Sequence, residues 1–339
     1  MTTYSSIAII IPSLNRHQFL LRTIRYYVEL DYSLHLFIGD SSEQELKFPS
    51  SLQSLLFSSN LNFHYFHLPG LNDRQAISYL ADQVNSFCID YICFHGDDDY
   101  FVAETLLECS SFLSRNLDYC SAQGQAYTIL LNKVGAYGSL KSISKYWSTP
   151  SLRSTSPLKR LSDFADSYFV LQFSLHRTPE FLEACKHYQY VPDRNWGELY
   201  HCYYFALQGK SYFVDKLFLV RNVHSAISHG SFARWITSSS FAEGMLYVIE
   251  KLSSVYCHTL SDRSLLLMTI ERHLYSTYLS KSRQLSSSLV LFSLIGKRFT
   301  ALFIRLVFFF EFHIPSFPFT RKTFFNSFRN VFKSFTRVT

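Results

Sequence analysis

Residues 7–11, Ile-Ala-Ile-Ile-Ile, form a continuous apolar run closed by Pro12. A short run without polar alternation predicts a strand buried on both faces, as in a parallel sheet. From residue 17 to 30 the period changes: apolar side chains fall at 20, 21, 24, 27, 28 and 30, the stripe of a helix. Leu34–Ile38 is a second predicted strand, ended by Gly39-Asp40-Ser41-Ser42 and followed by a polar loop. Leu61–Leu68 is a third, stopping before Pro69-Gly70. Residues 72–86 read as helix, with Ala76, Ile77, Leu80, Ala81 and Val84 on one side. Ile89–Phe94 is a fourth strand, and it runs directly into His95-Gly96-Asp97-Asp98-Asp99.

That order predicts an α/β fold, a Rossmann-like, mostly parallel sheet flanked by helices. Ser13-Leu14-Asn15-Arg16, Asp40-Ser41 and the triplet Asp97–Asp99 all follow strand ends. In open α/β sheets that carboxyl edge is where ligands bind. Further on, residues 132–162 are rich in Ser, Gly and Lys, with Pro150 and Pro157, and are expected to form a long loop. Residues 178–209 read as helix in two pieces, broken at Val191-Pro192-Asp193. Tyr212–Val220 reads as a strand before a polar loop holding His224 and His229, and residues 240–280 read as two helices. No internal repeat is present.

A chain of 339 residues, 47% hydrophobic, is long enough for one large domain and an appendage. Aromatic residues make up 17%, which suits sugar-stacking surfaces, membrane contact or an aromatic core. Met1-Thr-Thr-Tyr-Ser-Ser has no basic leader, so no export signal is expected. Seven cysteines without a CxxC pair point to reduced thiols in a cytoplasmic protein.

Charge is unevenly placed. From residue 281 onward ten basic residues face Glu311 alone, a net +9, which leaves −3 for the rest of a chain of +6. Residues 297–312 are strongly apolar but interrupted by Arg305 and stopped by Pro315, short of the roughly 20 residues a membrane span needs. Beyond them Phe324, Phe328, Val331, Phe332 and Phe335 share one helical face, and Arg329, Lys333 and Arg337 another. This pattern predicts a helical, basic, amphipathic tail lying on an anionic membrane surface, and it argues against nucleic acid as partner.

Three adjacent carboxylates at a strand end repel one another unless a cation stands among them. Mg²⁺ or Mn²⁺ is held by one or two carboxylates plus substrate phosphates, so metal–diphosphate binding is the chemical reading. The plain alternative is a polar turn opening the helix that Glu104 and Leu106-Leu107 suggest.

At these residues the chain resembles the family-2 glycosyltransferases of the GT-A fold, especially the bacterial branch with a DDD motif. Ile9-Ile-Ile-Pro-Ser-Leu-Asn-Arg16 is similar to that family's opening strand and turn, and Ile38-Gly-Asp-Ser-Ser42 to its second-strand motif. Asn72-Asp-Arg74 followed by Ala76 is similar to a helix motif near the donor, and Phe94–Phe101 to the metal-binding DxD. Trp196-Gly-Glu-Leu-Tyr followed by Gly209 resembles the helix that carries the catalytic acid, with Gly197 in place of the first acid of the usual pair and Glu198 where Asp is usual.

The resemblance covers about residues 5–230 and implies a glycosyltransferase domain over 1–235, with a donor half to about 130 and an acceptor half beyond it. A helical extension (236–280) and the tail (281–339) follow. It implies that Pro12, Ser13, Asn15, Arg16, Asp40, Arg74, Asp97 and Asp98 bind the nucleotide-sugar. Asp98, Asp99 and His224 would hold Mn²⁺ or Mg²⁺, with Asp98 and Asp99 competing as principal ligand and Asp97 facing the ribose. Glu198 would be the general base, with Asp193 the next candidate. The implied reaction is inverting sugar transfer, with UDP-sugars the family's commonest donors. The implied acceptor is a glycan or lipid-linked glycan at the inner face of the membrane. His64, His67 and His95 are expected to be structural. A catalytically silent GT-A domain serving as a glycan-binding or assembly partner is the competing class. A nucleotidyltransferase is disfavoured because Pro12–Arg16 contains no glycine.

Overall fold

The computed structural model describes residues 6–133, 135–147, 150–223, 235 and 238–279. The chain divides into two compact units between Ser228 and His229. The basic tail and both loop histidines, His224 and His229, lie outside the described residues.

The first unit is built on a nine-stranded sheet. Its first half is parallel and follows the apolar runs closely. β1 (Ile7–Ser13) lies between β2 (His35–Asp40) and β4 (Tyr91–Phe94), and β3 (Asn62–His67) flanks β2. Ile7 to Ile11 are wholly buried because helices cover both faces of such a sheet. α1 (His17–Leu30) buries Phe19, Leu20, Thr23, Ile24, Tyr27 and Val28. α3 (Asp73–Asn85) starts at a capping box in which Asn72 and Gln75 exchange side-chain and backbone hydrogen bonds.

Between them lies an element the pattern did not announce. α2 (Ser50–Ser58) occupies part of the expected polar loop, and Leu52 is its one buried residue. A single anchor leaves no periodic stripe to read.

The second half of the sheet is mixed. β8 (Leu175–Arg177) joins β4 to β6 (Tyr119–Leu131), antiparallel to both. β9 (Lys210–Val223) pairs with β6 in parallel, and the two-residue β5 (Tyr100–Phe101) closes the far edge antiparallel to β9. α4 (Ala103–Arg115) follows β5, while α6 (Thr178–Tyr188) and α7 (Arg194–Gln208) form the expected two-piece helix.

The expectation of a long loop over 132–162 is corrected. β7 (Leu140–Trp147) pairs antiparallel with β6, and α5 (Pro157–Asp166) follows. Seven of the eight β7 residues are exposed, so no apolar alternation betrays the strand. Pro157 is the first residue of α5, where its missing N–H costs nothing, and Ser156 caps it.

In the second unit α8 (Ser239–Tyr256) and α9 (Leu260–Leu274) are the two expected helices. A Thr259–Asp262 capping box opens α9, and a short π-helical turn, Tyr275–Leu279, follows it. No helix among the described residues is long and apolar enough to cross a membrane.

Candidate active site

The register of the parallel strands brings the separate motifs to one edge. Ser13 at the end of β1 is paired with Asp40 at the end of β2, and β4 beside them leads into the triplet. The turn after β1 passes through Asn15 in the left-handed region (φ 55°), a conformation that Asn tolerates better than most residues. That turn lets the Asn15 N–H donate to Ser42 Oγ at 2.7 Å.

Asp40 is fully buried and saturated with donors. Ser42 gives it its hydroxyl (2.5 Å) and its backbone N–H (3.1 Å), Tyr65 its phenol (2.9 Å), and His17 Nε2 lies at 3.0 Å. Next to it the buried Ser41 hydroxyl has no hydrogen-bond partner among the described residues.

Two arginines answer the charge of the triplet. Arg16 spans its first two members, with Nη1 at 3.1 Å from Asp97 Oδ1 and Nη2 at 2.6 Å from Asp98 Oδ2. Ser13 donates to Asp97 Oδ2 at 2.7 Å. Burial nonetheless pushes the Asp97 carboxyl up to about 7, with Arg16 opposing the shift. Asp99 is also pushed up by burial, against the pull of Arg221, whose Nε lies 3.1 Å from Asp99 Oδ2. The backbone N–H of Asn222 donates to Asp99 Oδ1 at 3.3 Å. Arg22, from α1, reaches the Asp98 carbonyl at 3.3 Å, and Thr23 the Asp97 carbonyl at 2.6 Å, so the turn itself is tied to α1.

The donor set fits a divalent cation completed by phosphate oxygens. A side chain at Gly96 would start 2.9 Å from Asp98 Oδ1 and 3.9 Å from Asp99 Oδ2, so the missing Cβ leaves both carboxylates room to converge. No group of three His, Cys, Asp or Glu side chains forms a closed cage among the described residues. One or two carboxylates suffice where a nucleotide diphosphate supplies further oxygens.

Glu198 comes from a separate element. It lies in the first turns of α7, whose N-cap is Asp193, accepting from the Trp196 N–H at 2.9 Å. The alternative base thus has a capping role. Tyr168 donates its phenol to Glu198 Oε1 at 2.6 Å. Loss of hydration works against the charge of Arg221, but Asp99, Tyr146 and Glu198 raise its proton affinity and outweigh that loss. Asp99 pairs with that guanidinium directly, and Glu198 adds to the negative field around it.

Gly197 has a steric reason to replace an acid. A Cβ there would meet Arg74 Cδ at 3.1 Å and Tyr188 Cε2 at 3.3 Å. Gly209 is similarly constrained, since a Cβ would lie 2.7 Å from the Cβ of Cys120.

Arg74 is buried at the start of α3. Its Nε donates to the Val191 carbonyl at 2.8 Å, and Nη1 pairs with Asp73 at 2.8 Å. His64 stacks on Phe37, and His67 bonds the Ser42 carbonyl at 2.8 Å. His95 donates Nδ1–H to the Gly96 carbonyl (2.6 Å) and accepts from the Tyr27 phenol at Nε2 (2.7 Å), with burial lowering its pKa to about 4. These three are held within the fold, outside the carboxylate cluster.

Sequence reading missed His17, Tyr65, Tyr168 and Arg221. The signal for Arg221 was a cation at the end of a predicted strand, three places before His224.

No protein-family model matches the chain, and no curated protein matches it. Solved structures do. A crystal structure of residues 1–349 of S. aureus TarS superposes with a TM-score of 0.55 at 12% identity, covering 83% of this chain and 75% of that one. The same segment in complex with UDP-GlcNAc gives 0.51 at 13% identity, covering 83% and 76%. Its complex with UDP gives 0.53 at 14% identity, covering 82% and 74%. At these identities the similarity establishes a shared fold, a largely parallel sheet flanked by helices.

Proposed function

We propose that this chain is an inverting, metal-dependent glycosyltransferase that moves a sugar from a nucleotide-sugar to a glycan or lipid-linked acceptor in surface polysaccharide synthesis. The observation that carries the reading is the gathering of Ser13, Arg16 and the triplet Asp97–Asp99 at the carboxyl edge of the parallel strands, with Glu198 adding to the negative field around Arg221, the partner of Asp99. The similarity in fold to a protein crystallised with UDP and UDP-GlcNAc supports a UDP-sugar as donor.

Each residue then has a task. Ser13, Asn15 and the unpartnered Ser41 hydroxyl line the nucleoside end, and Asp40 would reach the base by giving up one of its present donors. Arg16, now on Asp97 and Asp98, is a cation available to the diphosphate. Asp98 and Asp99 would hold Mn²⁺ or Mg²⁺, which when bound neutralises the leaving diphosphate. Glu198, oriented by Tyr168, takes the proton of the acceptor hydroxyl as that oxygen attacks the anomeric carbon from the face opposite the departing diphosphate. His224 remains a candidate further ligand.

The basic tail supports peripheral attachment to the cytoplasmic face of the membrane, where a lipid-linked acceptor would be presented. The test is a thermal-shift panel of nucleoside diphosphates and their sugars, with and without Mn²⁺. A Mn²⁺-dependent upward shift with UDP or a UDP-sugar is expected. No shift with any nucleotide overturns the reading, and binding without turnover favours a silent glycan-assembly domain.

A further inference from the structure

The register of the β6–β7 hairpin singles out one aromatic side chain. Tyr127 pairs with Lys145, but the next partner of Ala126 is Trp147, so Tyr146 is the extra residue of a β-bulge. Bulges of this kind re-aim a side chain out of the regular pleat, often beside a site. Here the Tyr146 phenol accepts from Arg221 Nη1 at 3.0 Å, and the guanidinium carbon lies 5.1 Å from the ring centroid. The ring is nevertheless 43% exposed. It is thus an aromatic platform held by the cation that pairs with Asp99, with much of its surface open to solvent.

Hydroxyls lie beside it. Ser144 is paired with Thr128, and Thr128 with Arg221, so the three form a row across β7, β6 and β9 on one sheet face. Thr128 Oγ1 and Ser144 Oγ are 2.7 Å apart. Ile143 and Lys145, at the alternate positions of β7, lie on the opposite face. Among the described residues β7 pairs with β6 alone, so it leaves this row accessible at a sheet edge.

We infer that Tyr146, Thr128 and Ser144 form the acceptor subsite, and that its occupant is an uncharged glycan. An aromatic face receives the apolar C–H face of a pyranose, and neighbouring hydroxyls exchange hydrogen bonds with its hydroxyls. A polyanion is the poorer match. Lys145 points away from the row, and Arg221 is already paired with Asp99. The assignment rests on the glycosyltransferase reading for its name as acceptor site, though not for glycan binding itself.

Saturation-transfer NMR on the full chain tests it, with neutral tetrasaccharides of glucose and of N-acetylglucosamine as probes. Transfer to ring protons of at least one probe is expected, with Tyr146→Phe retaining it and Tyr146→Ala binding about tenfold more weakly, as removal of one stacking ring predicts. Failure of every tetrasaccharide to receive saturation, or equal binding by Tyr146→Ala, overturns the subsite. So does binding of polyphosphate alone, abolished by Lys145→Glu. The thermal shift with UDP and Mn²⁺ runs in parallel. A shift without tetrasaccharide binding sinks the subsite and leaves the transferase reading standing. Tetrasaccharide binding that Tyr146→Ala weakens, without a shift for any nucleotide of the panel, supports the subsite and sinks the transferase reading.

Discussion

Arg221 Nε lies 3.1 Å from Asp99 Oδ2, across a sequence separation of 122 residues. The guanidinium also lies over the rings of Tyr146 and Phe173, each centroid 5.1 Å away, so charge and packing are joined in one side chain. Arg221→Ala leaves the buried Asp99 without its cation and is expected to lower stability in urea by about 2 kcal/mol. Arg221→Lys keeps the charge but loses the planar stacking, and should recover only part of that loss. Pairing Arg221→Ala with Asp99→Asn should cost less than the sum of the two, because the orphaned charge is gone. Strict additivity would show the two residues to be energetically independent.

Gly96 gives a sharper probe of the cation than the acids themselves. In Gly96→Ala the added methyl meets Asp98 Oδ1 at 2.9 Å and has to displace it. Half-maximal activity should then need about tenfold more Mn²⁺, the scale on which ligand positioning affects metal affinity. Undiminished turnover in EDTA would remove the metal from the mechanism, and near-normal activity of both Asp98→Ala and Asp99→Ala would remove these ligands.

Glu198→Gln preserves the shape of the side chain and the Tyr168 hydrogen bond while removing the proton acceptor. A fall in kcat of roughly 10²-fold or more, with donor affinity unchanged, is expected from loss of a general base. A rise in KM with kcat intact would make Glu198 a binding group.

Two buried histidines predict an acid limb to stability. Burial lowers the pKa of His176 to about 3 and that of His201 well below its ordinary 6.5. The unfolded chain therefore binds these protons more readily than the folded one. Their contribution is fully present above pH 6.5 and declines as pH falls toward 3, by an amount on the order of 4 kcal/mol for His176. Urea midpoints measured from pH 7 to pH 4 should fall, and His201→Phe should flatten the slope. An unchanged slope would mean that His201 does not contribute to it.

The tail carries its own test. Full-length chain is expected to co-sediment with phosphatidylglycerol vesicles at low salt and to be released at high salt, and a chain ending at Ser280 to stay in solution. Equal behaviour of the two would exclude residues 281–339 as the anchor.

Legibility followed burial. Ile7–Ile11 and Tyr91–Phe94 are covered on both faces, so their apolar runs reveal strands, and the polar residues beyond them lie at the carboxyl edge of the sheet. Ser13, Arg16, Asp97, Asp98 and Asp99 are consequently both readable and adjacent in space. β7 and α2 bury too little to leave a period, and Arg221 and Tyr146 reach the site through a strand and a hairpin whose pairing no local pattern encodes. Glu198 was proposed through the family resemblance, on its spacing from Gly209, and its tether to Tyr168 left no signal in the sequence.

The parallel pairing of β6 with β9, from Tyr119↔Lys210 to Leu130↔Val223, also sets an order of events during synthesis. Strands β1 to β4 find partners among themselves, whereas β6, which can pair with β7 soon after it is made, waits for about eighty further residues before β9 exists. Over that interval the triplet has Arg16 and lacks Arg221. The growing chain therefore carries an N-terminal half-sheet whose carboxylates are incompletely balanced, and the arrival of β9 completes sheet and charge in one step. Any nascent fragment released before residue 221 has the carboxylate triplet but not the cation that pairs with Asp99.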